Sequence, residues 1–283
     1  MRDFIKQYKR NKAAVIGFII VVILVFMAIF APFIAPHQPD IQDLAHRLTP
    51  PMWQEGGLSK YLLGTDDFGR DLFSRIIYGA RISLLVGAIS VGMSLSFGLV
   101  MGMLAAYYGG KVDLFIMRIV DIMLAIPAIL LAIVVVSILG PSLANAMIAI
   151  GIVGIPTYAR VVRASVLAER EKEYVIASRI NGSSNARLMF KVILPNAATP
   201  IIVQSTMGFA SAVLEAAGLS FLGLGAQPPT PEWGAMLSDS LQFIMTAPWM
   251  IFYPGLAIFL TVLGFNLMGD GLMDVLDPKL KEK

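Results

Sequence analysis

The amino-acid sequence predicts an all-α integral membrane protein with six transmembrane helices. Of its 283 residues, 57% are hydrophobic and 14% are charged, and the mean hydropathy is +0.75. Soluble domains are about 45–50% apolar and about 25% charged, so this excess cannot be buried in one water-soluble core. The composition argues against a soluble enzyme, a disordered chain and a nucleic-acid-binding protein. The absence of cysteine excludes disulfides, thiolate metal sites and a catalytic thiol.

Uncharged apolar runs locate the six helices, because a helix needs about 20 such residues to cross about 30 Å of hydrocarbon. The first run is longer than the apolar region of a cleaved signal peptide, which has about 7–15 residues, so we expect an uncleaved anchor. In chain order, the sequence predicts a basic tail (residues 1–12), a first transmembrane helix (13–35), an outer segment (36–81), a region of five further helices (82–272) and a second tail (273–283).

Proline and glycine set the helix limits inside the five-helix region. The uncharged run over residues 122–159 is interrupted by Gly-Pro-Ser at residues 140–142. It predicts two helices, because proline lacks a backbone donor and this tripeptide favours a turn. Pro248 and Pro254 lie near the start of the last run, and they place the beginning of the sixth helix late in it.

The distribution of lysine and arginine predicts the orientation in the membrane. With six helices both tails lie on one side, and that side would carry 17 of the 22 basic residues. Positively charged connections stay in the cytoplasm, so we expect both termini and the loop over residues 160–195 to be cytoplasmic. The segment over residues 36–81 and the loop over residues 223–249 would then lie outside.

The cytoplasmic loop has the pattern of two helices joined by a glycine elbow. Residues 169–180 favour a helix, with acidic residues in the first turns where the helix dipole is positive. Asn181-Gly182 favours a helix stop because both residues tolerate the left-handed conformation, and Ser183 or Ser184 can cap a second short helix. Such a loop either lies on the membrane surface or offers a docking surface for a soluble partner.

One stretch of this loop carries a family signature. Residues 173–182 are Glu-Tyr-Val-x-Ala-Ser-x-x-x-Gly, and Ile-Leu-Pro follows at residues 193–195. The pattern resembles the signature of binding-protein-dependent ABC importer permeases, which is Glu-Ala-Ala, then glycine four residues on, then Ile-x-Leu-Pro. The Tyr-Val after the glutamate and the missing spacer are typical of the peptide and nickel branch.

Further stretches resemble the same branch, and the likeness is strongest to the C-type permeases of dipeptide systems. These stretches are residues 63–75, 117–127, 225–234 and 266–271. The resemblance implies the ABC transmembrane type-1 fold, a location in the bacterial inner membrane, and half of a translocation pathway for dipeptides or short oligopeptides. The alternatives are the same architecture importing nickel or haem, or a stand-alone secondary transporter.

The resemblance also implies partners and a division of labour. The expected partners are a second, homologous permease, two ATP-binding ABC subunits, a peptide-binding solute-binding protein and membrane lipid, with no nucleic acid. In the family the loop couples the permease to its ATPase, which assigns that role to Glu173, Ala177, Ser178 and Gly182. The chain has no Gly-x-x-x-x-Gly-Lys phosphate loop. We therefore expect no catalytic residue and no cofactor in this chain, with ATP and Mg²⁺ bound by partner subunits.

Two acidic residues fall inside or beside predicted spans, where a charge costs about 2.5–3.5 kcal/mol and so faces protein or water. Asp121 lies three residues after Arg118, a spacing that predicts a structural ion pair. Glu215 has no basic residue near it in the sequence. It therefore either lines the translocation path, where it would attract a peptide amino terminus, or contacts the partner permease.

The outer segment carries both histidines of the chain. His37, Asp40, Asp43 and His46 follow one another at steps of three, as metal ligands on one helical face would. Two prolines interrupt the first half of this stretch, so we expect a solvated loop and no metal site.

Residues 65–83 predict an amphipathic helix that leads into the second span. Thr65 or Asp66 can cap its start. One side of this helix is apolar at helical spacing, and it consists of Leu72, Ile76, Ile77 and Ala80. That side either packs at the lipid interface or contacts the solute-binding protein.

Alkaline phosphatase fusions, which are active only outside the cytoplasm, test the predicted orientation. We expect active fusions after Gly56 and Glu232 and an inactive fusion after Gly182. An active fusion after Gly182 would overturn the topology with both termini inside.

Overall fold

The computed structural model describes residues 8–276, and its regular structure is helical. The predicted tails over residues 1–12 and 273–283 lie largely outside this range. In the described part of the chain the helices of eight or more residues are α1 (Lys12–Ile29), α2 (Leu72–Tyr108), α3 (Gly110–Leu124), α4 (Ala128–Leu139), α5 (Leu143–Arg170), α6 (Glu173–Ile180), α7 (Ala198–Phe221), α8 (Trp233–Ser240) and α9 (Trp249–Leu276). Shorter helical turns cover Ala31–Ile34, Leu44–His46, Asn185–Arg187, Leu188–Ile193, Leu194–Asn196 and Leu241–Phe243.

Six spans result when α3 and α4 are taken together. Five helices, namely α1, α2, α5, α7 and α9, are each long and apolar enough to cross a membrane. α3 and α4 meet that condition only as a pair, and they are bent by 92° at the break between them. The bend has a local cause, because Pro127 precedes α4 and lacks the backbone donor that would continue α3. The third predicted span is therefore a bent pair.

Prolines explain the limits of the first and last helices. α9 begins at Trp249, directly after Pro248, and keeps Pro254 inside the helix, so the predicted late start is confirmed. α1 ends at Ile29, short of the predicted residue 35. The chain then continues as a separate turn of helix with a proline in its first turn, where a proline needs no intrahelical partner.

α2 begins at Leu72, so the cap predicted at Thr65 or Asp66 was wrong. The N-cap is Asp71, whose carboxylate accepts the backbone N–H of Ser74 at 3.1 Å. The apolar side of the first turns is buried by the chain itself, against the core around α8, and not by lipid or a soluble partner. Its members are Leu72, Ile76, Ile77 and Ala80.

A tryptophan and an arginine join the first turns of α2, and the segment before it, to α8 and the loop that precedes α8. Trp233 Nε1 donates to the carbonyl oxygen of Ile76 at 3.1 Å. The buried guanidinium of Arg75 donates to the carbonyl oxygens of Pro39 at 3.1 Å and Pro229 at 3.2 Å. The two segments that the sequence placed on the same outer side thus pack together at one end of the bundle, the α8 end.

α2 and α5 form the most extensive helix–helix contact in the described chain. Near the start of this contact, two serines of α2 donate hydrogen bonds to the backbone of α5. Ser90 Oγ donates to the carbonyl oxygen of Met147 at 3.0 Å, and Ser94 Oγ donates to that of Gly151 at 2.7 Å. Because the contact advances by four residues on both helices, the two helices run parallel. Each serine hydroxyl thus donates a hydrogen bond across the interface to the backbone of the facing helix.

Glycines continue the same stripe toward the end of α2. A side chain at Gly98 would place its Cβ 2.5 Å from the Cβ of Tyr158, and one at Gly102 would place it 2.5 Å from the carbonyl oxygen of Ala159. Ala106, one turn further on, is fully buried. Small residues at four-residue spacing let the backbones of membrane helices approach closely, so this stripe fixes the separation of α2 and α5.

α1 and α9 run antiparallel, which brings the two ends of the described chain together. Asn11 Nδ2 donates to Asp274 Oδ2 at 2.8 Å. Gly17 and Gly264 allow the close approach, since a Cβ on Gly264 would lie 2.7 Å from Cγ2 of Ile20. Both ends lie at the end of the bundle that also carries α6, as an even number of spans requires.

Replacing Gly102 by leucine should lower the melting temperature of the detergent-solubilised protein, followed by tryptophan fluorescence. Overpacking of a close contact costs about 1–3 kcal/mol. Gly92→Leu is the matched control on the same helix, because no atom lies within 4 Å of a Cβ at Gly92, and it should leave the melting temperature unchanged. Equal melting temperatures for the two variants would contradict a limiting role for the α2–α5 contact.

Candidate functional site: the α6 loop and a polar cavity

The loop after α5 carries one exposed helix, α6, which is anchored by a single buried residue. Val175 is fully buried and belongs to an apolar cluster shared with α2, α5 and the chain after residue 187. The remaining large apolar side chains of α6 face outward, and they are Tyr174, Ile176 and Ile180. α6 is therefore held to the bundle through Val175, and it projects from the bundle with exposed apolar side chains.

α6 ends in a Schellman motif at Gly182. The backbone N–H of Ser183 donates to the carbonyl oxygen of Ser178 at 3.2 Å. The backbone N–H of Gly182 donates to the carbonyl oxygen of Arg179 at 3.0 Å. Gly182 has a φ of +78°, which confirms the predicted helix stop and is a conformation that favours glycine. No atom lies within 4 Å of its Cβ position, so a side chain there would strain the backbone without a clash.

The residues assigned to coupling surround this helix and its elbow. Glu173 opens α6 and is exposed, and its side chain has no hydrogen bond or ion pair within residues 8–276. Ala177 is exposed one turn later on the same side. Ser178 Oγ lies 3.0 Å from Ser183 Oγ. Glu173 and Ala177 are thus available to a partner, whereas Ser178 and Gly182 shape the elbow.

The helix predicted over residues 169–180 is interrupted, because α5 ends and α6 begins within it. Glu169 stabilises the break, since its carboxylate accepts from Lys172 Nζ at 2.6 Å and from the hydroxyl of Tyr174 at 2.5 Å. Partial burial and then the bond to Glu169 raise the pKa of Tyr174 to about 12. That hydroxyl therefore remains a donor at neutral pH.

After the elbow the chain returns to the bundle through irregular helix. Ser184, one of the two predicted caps, accepts a backbone N–H at the start of a short turn, and Leu188–Ile193 follows as a π-helical turn. Both ends of this turn are buried in the same cluster as Val175. The hydroxyl of Tyr107 on α2 donates to Asn185 Oδ1 at 2.8 Å, so α2 holds the loop on both sides of the elbow.

A cavity of about 190 Å³ opens among α2, the α3–α4 bend, α5 and α7. Glu215 is the one charged residue that the described part of the chain contributes to its lining. The other polar side chains in the lining are Ser90, Ser94, Thr157, Tyr158, Gln204 and Ser211. The side chains of Thr157, Ser211 and Glu215 have no hydrogen bond or ion pair within residues 8–276. The cavity therefore offers an uncommitted carboxylate beside uncommitted hydroxyls.

Asp121 pairs with Arg160 of α5 and not with Arg118, so the predicted ion pair was wrong. Arg160 Nη2 lies 2.7 Å from Asp121 Oδ1. Two turns earlier on α3, Arg163 donates two hydrogen bonds to Asp113, each 2.6 Å long. The physical reason is that α5 packs against the acidic side of α3, and its arginines reach these carboxylates from across the interface.

Two family models match the chain. Residues 98–282 match the binding-protein-dependent transport system inner membrane component, and residues 1–51 match the N-terminal TM domain of oligopeptide transport permease C. The first match covers more than half of the sequence. The chain belongs to the family of binding-protein-dependent transport system inner membrane components. This permease is therefore a transport subunit of the bacterial inner membrane, as the sequence predicted.

Relatives of this permease are similar over its whole length. It is 56% identical to the dipeptide transport system permease protein DppC of Escherichia coli K12, over 100% of this chain and 94% of that protein. It is 54% identical to the DppC of Haemophilus influenzae, over 100% and 96%. The di/tripeptide transport system permease protein DppC of Pseudomonas aeruginosa is 52% identical, over 99% and 93%.

Solved structures share the fold of the permease at low sequence identity. A chain of the inward-facing MetNI methionine ABC transporter superposes with a TM-score of 0.59 at 20% identity, covering 72% of this chain and 97% of that one. A chain of an amino acid ABC transporter with histidines gives a TM-score of 0.56 at 18% identity, covering 72% and 95%. These likenesses confirm the predicted ABC transmembrane type-1 fold.

Both histidines of the permease pair with aspartates near the start of α2. His37 Nδ1 lies 3.3 Å from Asp71 Oδ2, and His46 Nδ1 lies 2.9 Å from Asp43 Oδ2. The hydrogen bond from the hydroxyl of Tyr61, then those from His46 and a lysine, hold the pKa of Asp43 well below its usual range. No group of three or more His, Asp or Glu side chains within residues 8–276 is arranged to hold a metal ion.

Proposed function

We propose that this permease forms half of the translocation pathway of an ATP-driven importer for dipeptides or short oligopeptides. The observation that carries the proposal is its 52–56% identity, over at least 99% of its length, to relatives named for dipeptides or di/tripeptides. Relatives named for glutathione and for D,D-dipeptides are 44% identical over 99% and 96% of the chain. They also support a short peptide as the cargo in preference to nickel or haem.

The complete importer requires further subunits under this proposal. A second, homologous permease would supply the other half of the pathway, two ABC subunits would bind ATP and Mg²⁺, and a solute-binding protein would deliver the peptide. The fold supports this division, since it is that of ABC transporter chains. The lack of a phosphate loop in the 283 residues supports a role without catalysis or a cofactor for the permease itself.

α6 is the proposed contact with an ATPase subunit, and the α6 end of the bundle is the proposed cytoplasmic end. Its exposed apolar side chains and the unpartnered carboxylate of Glu173 offer a partner both burial and an ion pair. Val175 fixes α6 to the cluster shared with α2 and α5. A displacement of α6 by the ATPase would therefore move the two helices that form one wall of the polar cavity.

Gly182→Val should abolish uptake of a labelled dipeptide while leaving the six spans inserted. Valine in the left-handed conformation is strained by about 1–2 kcal/mol. When the backbone leaves that conformation to relieve the strain, the chain after the elbow takes a different direction. The ATPase subunits should then bind less tightly or hydrolyse ATP without transport. The measurements are dipeptide uptake by cells, co-purification of the ATPases and the ATPase rate of the reconstituted complex.

Gly182→Asn is the matched control, because asparagine tolerates the left-handed conformation better than other side chains. It should retain most of the uptake. Normal transport by Gly182→Val would remove the main support for α6 as the coupling helix. Uptake of nickel or haem in place of the dipeptide by the unaltered permease would contradict the proposed cargo.

Glu215 is proposed to attract the amino terminus of the peptide as it passes through the cavity. Its carboxylate shares the lining with the uncommitted hydroxyls of Thr157 and Ser211. An ammonium group entering such a site meets an opposite charge in surroundings less polar than water, where the attraction is stronger than in solution.

Glu215→Gln should lower dipeptide uptake by about tenfold or more with the complex still assembled. A hydrogen bond to a charged group contributes about 1.5–3 kcal/mol, and about 1.4 kcal/mol corresponds to a factor of ten. Glu215→Asp keeps the charge and should retain part of the uptake. Unchanged uptake kinetics in Glu215→Gln would leave Glu215 with a structural role only.

A further inference from the structure

A second cavity, of about 260 Å³, lies between α1 and α9. Each helix lines it with four residues at the spacing i, i+3, i+4 and i+7, from Ile20 to Met27 on α1 and from Tyr253 to Leu260 on α9. These are the positions that form one continuous face of a helix. Two apolar faces that would ordinarily pack together are therefore separated by a groove.

The position of the groove follows from the helix contacts around it. α1 and α9 approach closely at Gly17 and Gly264, and the groove begins beyond that point, where the side chains become large. Leu63, Ile76 and Trp233 line its other end, which is the α8 end of the bundle. The rise along a helix from position i to position i+7 is about 10 Å, so the groove fits within one leaflet, which is about 15 Å deep.

The lining is almost entirely hydrocarbon. Its polar side-chain atoms are Trp233 Nε1, which already donates to the carbonyl oxygen of Ile76, and the hydroxyl of Tyr253. The Tyr253 hydroxyl has no hydrogen bond to any residue in the range 8–276. It lies in the first turns of α9, the depth at which tyrosines meet the headgroup region of a bilayer. The groove thus suits a long apolar chain that ends in an acceptor near Tyr253.

The sequence of α1 argues against a protein helix as the occupant. Contacts between membrane helices are enriched in small residues and polar side chains. Residues 20–27 of α1 are Ile-Val-Val-Ile-Leu-Val-Phe-Met, a stretch that contains no small residue and no polar side chain. The neighbouring outward positions of α1 also expose large aliphatic and aromatic side chains. We propose that the groove binds one acyl chain of a phospholipid from the leaflet at the α8 end, with the Tyr253 hydroxyl donating to its ester region.

Phospholipid retained by the assembled complex tests the proposal. The complex is purified from bacterial membranes in mild detergent, washed extensively, and its phospholipid is counted by mass spectrometry. The unaltered complex should retain at least one phospholipid per permease. Ala257→Trp and Ile23→Trp fill the groove from opposite sides and should each reduce that lipid by half or more. Ile23 is 52% exposed, so the larger side chain has room without disturbing the fold.

Val22→Trp is the matched control, because Val22 lies at the same depth on α1, is 48% exposed, and does not line the groove. It should retain the lipid. Equal retention by all the variants, or no retained lipid in the unaltered complex, would overturn the proposal. So would a cross-link from Ile23→Cys to another subunit, which the cysteine-free chain makes simple to detect.

Discussion

The close parallel contact of α2 and α5 is the interaction on which the rest of the structure depends. The serines in this contact line the polar cavity. The glycines and Ala106 let the two helices approach closely beside the apolar cluster that holds α6. A single large side chain in the stripe would therefore affect both candidate sites. Because the stripe satisfies its polar groups internally, it can exist at membrane depth, where an unpaired hydroxyl is costly.

The long apolar runs were sufficient to predict the spans, since the bilayer imposes one length on every helix that crosses it. The Schellman elbow at Gly182 was also predictable, because only a few residue types tolerate its backbone conformation. The bend before α4 was missed. Pro127 stands in an uncharged run, and a count of apolar residues does not distinguish a straight span from a bent one.

Tertiary contacts explain the remaining errors. Asp121 has Arg118 at a suitable spacing, yet its partner is Arg160, which is 39 residues away in sequence and adjacent only after α5 packs on α3. The stripe from Ser90 to Ala106 is visible in the sequence as small residues at every fourth position, although its partner helix is not. Glu215 was predicted as a functional residue because it is charged. Thr157 and Ser211 were not predicted, because an isolated hydroxyl in an apolar run does not indicate a cavity.

The bend between α3 and α4 has a consequence for hydration. A helix that breaks leaves backbone groups without intrahelical partners, and hydrocarbon cannot supply them. Leu124 and Ala128, on either side of the break, both line the polar cavity, so water in the cavity can solvate these groups. A polar cavity of about 190 Å³ has room for water, and under the proposed function a peptide that enters it would displace that water. Under the same proposal, the seal against ion leakage would fall to the buried apolar clusters that flank the cavity on α2, α5 and α7.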